Sequence, residues 1–129
     1  MREIKFRAWD KNLNSSGGMI WNAAILNGKY FDIFEMETRD YPLMQFTGRK
    51  DKNEDEIYEG DIVEVVLPGN TEARNITIAR GKVFYDEASF RVPTGVHISS
   101  WVRLDSLANN VEIRIIGNIF ENPELLEEG

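Results

Sequence analysis

Short runs that alternate apolar and polar residues, each closed by a turn signal, constrain this chain most. A period of two suits the pleat of a β-strand and does not line one face of a helix. Ile4, Phe6 and Ala8 alternate with Lys5, Arg7 and Trp9, which predicts a strand with one greasy face and one basic face. Residues 43–47 look extended and end at Gly48. Gly60 and Asp61 turn the chain into the β-branched run 62–67, which suits a central strand, and residues 111–116 alternate again before a bend at Gly117-Asn118. Asn27-Gly28, Pro68-Gly69-Asn70 and Asp86-Glu87 mark further turns. Pro42 limits any helix from residues 35–41. Residues 105–110 read as a helical turn with Leu107 inward, and the end as a helix: Asn122 as N-cap, Pro123 in the first helical position and Glu124 in the first turn predict a C-terminal helix of at most two turns.

Strands of about 5–7 residues joined by turns predict an all-β fold. The expected form is a small barrel of the Src-homology-3 type, made of short antiparallel strands over residues 44–129 and preceded by an N-terminal β segment over residues 1–43. At 129 residues the chain should bury about two-thirds of its surface, enough for a core without covalent staples.

Composition removes much chemistry. The chain has no cysteine, which excludes a disulfide scaffold and thiolate metal sites, and its single histidine, His97, has no partner at a motif spacing. No nucleophile elbow or phosphate-binding glycine loop occurs, and Gly17-Gly18 reads as a flexible turn. The expectation is a protein without enzymatic activity, cofactor or metal. No apolar run approaches the roughly 20 residues of a membrane span, and the charged start lacks the apolar core of a secretion signal, so a cytoplasmic location without membrane attachment is expected.

The net charge of −7 is uneven. Residues 1–50 hold 8 basic and 6 acidic side chains, whereas residues 51–129 hold 7 and 16. The acidic whole opposes general nucleic-acid binding. A local basic and aromatic face nevertheless keeps that reading as the alternative, with Arg2, Lys5, Arg7, Trp9 and Lys11 as its core and Arg49, Lys50 and Lys52 in support. Against it stands Trp9 turning to cover the core rim while the basic residues face the acidic part. Trp21, Tyr58 and Trp101 read as core or interface packing with polar tips kept wet.

Two acidic groupings suggest metal chemistry, the second alternative. Asp51, Asn53 and Asp55 imitate the start of a calcium loop, but Glu56 and Ile62 stand where that loop needs glycine and a bidentate glutamate. Glu56, Glu59, Asp61 and Glu64 crowd together as in a metal-dependent hydrolase, yet without Lys or His alongside. The competing readings are a solvated hairpin tip for residues 49–56 and a turn cap for Asp61.

Three blocks, EIKFRAWD at residues 3–10, LMQFTGRKDKNEDEIYEGDIVEV at 43–65 and IIGNIFENPELLEE at 115–128, give the chain a resemblance to the YopX family of phage and prophage proteins. The resemblance implies phage origin and a short β-rich fold rather than a chemistry, since the family has no established biochemical activity. The family's loop usually reads KDKNGKEIYEGD, whereas Glu54 and Asp55 replace glycine and a basic residue in this chain. Glutamate does not supply positive φ cheaply, so a wider or re-registered loop is expected.

The combined reading is a phage or prophage accessory protein acting as a non-enzymatic binding or self-assembling β module. A homo-oligomer, or a complex with a host or phage protein, is the expected state. Lys5, Arg7, Trp9, Lys50 and Lys52 are the candidate partner contacts; Gly48, Gly60, Asp61, Gly117, Asn122 and Pro123 are the structural turns and caps.

Overall fold

In a computed structural model of the chain, residues 3–86, 89–94, 101–107 and 110–126 are described. His97, Arg2 and the expected turn residue Glu87 lie outside them. The fold is all-β and antiparallel throughout its described pairings. The chain divides into two compact units, residues 1–46 and 47–129.

The first unit begins with β1 (Phe6–Asp10), which pairs with β2 (Gly18–Ile20) on one side and with the start of β6 (Leu43–Lys50) on the other. Its second sheet has the order β3 (Ile25–Leu26), β4 (Lys29–Asp32), β5 (Glu37–Arg39). The β3–β4 turn is Asn27-Gly28 with positive φ at both residues, the backbone that a two-residue hairpin joining right-twisted strands requires. Among the described residues here the buried apolar side chains are Ala8, Trp9, Met44 and Phe46. Trp9 packs against Gly17, where a Cβ would clash with the indole and φ is +95°. Glycine is therefore required there by space as well as by backbone.

In the second unit β6 runs on through Gly48 to Lys50 rather than ending at Gly48, because Gly48 takes φ +88° within a continuing ladder. After β7 (Glu56–Tyr58), the central strand β8 (Asp61–Leu67) pairs with β9 (Ile76–Lys82) and β13 (Glu112–Asn118). β10 (Phe84–Asp86), β11 (Ser89–Pro93) and β12 (Trp101–Arg103) form another sheet. Ile57, Val63, Val65, Ala79, Val83, Phe90, Val92, Leu104 and Ile113 make one core. The alternation of Val63 and Val65 with Glu64 fixes which face of β8 enters it.

The C-terminus departs from the expected helix. Pro123–Leu126 form one short 3₁₀ segment, and residues 127–129 lie outside the description. Asn122 turns its side chain back, accepting the Asn118 N–H at 3.2 Å. The β13 bulge at Gly117 makes that approach possible, since a Cβ on Gly117 would sit 2.6 Å from the Asn122 oxygen.

Candidate functional site

The basic and aromatic residues singled out in the first strand do not form an exposed face. Ile4 is exposed whereas Arg7, Ala8 and Trp9, three consecutive residues, are buried. β1 lies between two neighbouring strands and is covered on both faces, which a period-two reading does not anticipate. The Arg7 guanidinium Nε–H donates to the Met44 sulfur at 3.3 Å and its Cζ lies 5.4 Å from the Trp21 ring centroid, so it is spent on packing and a cation–π contact. Lys5 reaches the Glu3 carboxylate at 3.3 Å and lies over the Phe46 ring. In the second unit Lys50 is exposed and Lys52 approaches Glu112 at 3.7 Å. The five candidate contacts are thus divided between the units, and two of them are buried.

The acidic residues serve the backbone. Asp51 is buried, against the expectation of a solvated tip. One of its oxygens accepts the Asn53 and Asp55 N–H groups at 2.9 Å, and the other accepts Ile115 N–H at 3.3 Å. Lys52 N–H donates to the Ile113 carbonyl at 2.8 Å, so the loop is stapled to β13. Glu54 takes φ +68°, the left-handed conformation that glycine would have supplied. The loop therefore stays tight instead of widening, because Asp51 holds the amides on both sides of Glu54. Asp61, also buried, accepts Tyr58 N–H at 2.8 Å, while Gly60, with φ +85°, accepts Ile119 N–H and donates to Val83. Glu64 faces Arg80 at 3.6 Å and Glu56 accepts the Tyr58 hydroxyl at 3.2 Å. Tyr58 itself is fully buried, its tip included in the core rather than wet. Among the described residues no group of three His, Asp or Glu side chains could hold a metal ion.

Two of the blocks that carried the resemblance, residues 43–65 and 115–128, therefore share a backbone network in the second unit around Asp51, Gly60 and Asp61. A family profile described as YopX protein matches residues 5–127. The chain belongs to the YopX family. Comparison with curated proteins gives no match. This YopX-family chain is also similar to the crystal structure of protein EF1440 from Enterococcus faecalis, at 29% identity and a TM-score of 0.63, over 98% of this chain and 100% of that one.

Among the described residues of this YopX-family protein, the most exposed large apolar side chain lies elsewhere, at the β4–β5 hairpin. Ile33 and Met36 are largely exposed and Phe34 is 91% exposed. The turn that carries them is held in shape: Asp32 accepts the Phe34 and Glu35 N–H groups at 3.0 and 3.2 Å through one oxygen, and Arg39 Nε–H at 3.1 Å through the other. These bonds hold the Asp32 carboxyl below the ordinary carboxylate range, the Glu35 amide contributing most. Met36 sits at φ +55°. This turn is not among the candidate contacts read from the sequence: β4 ends at Asp32, which leaves Ile33 and Phe34 beyond the strand. The signal was available, since adjacent Ile33 and Phe34 break the alternation and Asp32 precedes them as a turn-forming residue.

Proposed function

We propose that this protein is a non-enzymatic binding module, of phage or prophage origin and acting in the host cytoplasm, that engages a protein surface, another copy of itself included. The observation that carries the reading is the ordered turn holding Ile33, Phe34 and Met36 in water. Apolar side chains in a preformed turn lose little conformational freedom on docking, and an aromatic anchor of this kind is typical of binding hot spots. A barrel of the Src-homology-3 type for residues 47–129 stays part of the proposal, supported by the three-stranded sheets around one core. The nucleic-acid alternative loses its motivation with the burial of Arg7 and Trp9, and the hydrolase alternative with the engagement of Asp51 and Asp61 by backbone amides.

The test is light scattering on a sizing column together with recovery of the tagged chain from host cells, with and without nuclease. Self-association, or nuclease-resistant retention of a protein that is lost in Phe34→Ser, is the expected result. A strict monomer retaining nothing, or retaining only nuclease-sensitive material, overturns the proposal.

A further inference from the structure

The open edge of the β3-β4-β5 sheet carries its own complement. β5 is the outer strand of that sheet among the described residues, and Glu37 and Thr38 are exposed. Phe31 donates its N–H to the Ala24 carbonyl at 2.8 Å, toward β3 and away from β5. Antiparallel ladders alternate hydrogen-bonded and non-hydrogen-bonded pairs, so the Phe31–Thr38 pair is of the second kind. Thr38 therefore points its N–H and C=O outward, unused by β4.

We propose that this edge pairs with β5 of a second copy, antiparallel about a two-fold axis at Thr38; the inference rests on the binding-module reading above and names its partner. Thr38 then faces the partner's Thr38 as a hydrogen-bonded pair, exchanging two N–H···O=C bonds. Glu37 faces the partner's Arg39, and Arg39 faces the partner's Glu37. Charges on an edge strand ordinarily oppose pairing with another chain. In the sequence Glu37-Thr38-Arg39 they are placed symmetrically about the centre with opposite sign, so the same charges attract across the axis and repel in a parallel arrangement. Within each copy Glu37 already lies 3.0 Å from Arg39, and the two pairs become a ring of alternating charge. The apolar turn at Ile33, Phe34 and Met36 adjoins the strand and adds area. A three-residue strand and one turn bury less than a standard interface of about 1,600 Å², so the dimer is reversible and concentration-dependent.

Sedimentation of the full chain over a concentration series tests this. The wild type should pass from monomer to dimer. Thr38→Pro removes an outward donor that β4 does not use, so it should raise the dissociation constant by at least about tenfold with the melting temperature little changed. Glu37→Arg and Arg39→Glu should each be monomeric alone and should form a heterodimer when mixed. The chain has no cysteine, so Thr38→Cys should oxidise to a covalent dimer, since the Cα separation of about 5.5 Å in such a pair suits a disulfide. Thr71→Cys, an exposed control, should not.

A wild type that stays monomeric at every concentration overturns the inference; if a host protein is still retained through Phe34, the binding reading survives. A dimer unchanged in both Thr38→Pro and Glu37→Arg also overturns it, while leaving self-association through another surface intact.

Discussion

The two units are built by different means. Residues 47–129 surround nine buried apolar or aromatic side chains drawn from strands far apart in sequence. The described residues of the first unit, 3–46, bury only Ala8, Trp9, Met44 and Phe46 among their apolar side chains, and rely on turn chemistry, a stacked Tyr30–Tyr41 pair at 5.2 Å and the Arg7–Trp21 contact. The acidic surplus belongs with the well-packed unit, where buried Asp51 and Asp61 accept backbone amides. The large exposed apolar tip belongs with the sparsely packed one. Apolar side chains in the second unit stabilise it; several of those in the first remain available to another surface.

Truncation should expose that contrast most sharply. Phe90→Ala opens a cavity in the nine-residue core and should cost about 3–5 kcal/mol in denaturant unfolding. A loss no larger than that of a surface substitution would break the comparison. Asp51→Ala leaves three part-buried amide bonds without an acceptor and should cost about 1–3 kcal/mol, with faster hydrogen exchange at Ile115 as its local signature. Glu54→Gly should act the other way and raise stability by up to about 1 kcal/mol, because glycine takes the positive φ without a Cβ penalty. In the first unit, Phe34→Ser should leave stability within about 0.5 kcal/mol while removing association, the reverse of the Phe90 outcome.

The smallest effect concerns pH. Asp32 has a folded value below its unfolded one, so its contribution is complete above about pH 4 and is lost as pH falls through the lower folded value. The Phe34 and Glu35 amide resonances should titrate with a midpoint below the ordinary Asp value of 3.8, and Asp32→Asn should abolish that titration. A midpoint at or above 3.8 would mean that the tip is not held in solution.

Particular residues show what was legible in advance. The Asn27-Gly28 hairpin and the Gly60-Asp61 turn follow from local backbone chemistry, and β8 follows from its β-branched alternation. Arg7 looked exposed because its neighbours alternate; a second strand on each side of β1 and cover on both faces removed it from solvent. Asp51 looked solvated because no apolar residue surrounds it in sequence, yet the Ile115 N–H reaches it from 64 positions away, and the neighbouring Lys52 N–H finds the Ile113 carbonyl. Asn122 read as a forward cap, and the bulge at Gly117 drew it backward.

The order of amino acids alone carried the all-β class, most strand positions and the Asn27-Gly28 and Gly60-Asp61 turns, because each depends on neighbours within a few residues, and three blocks spread along the chain carried the family. Tertiary structure decided which faces are covered, which carboxylates are buried and which apolar side chains stay in water. Burial depends on what another part of the chain lays over a surface, and local periodicity does not carry that information.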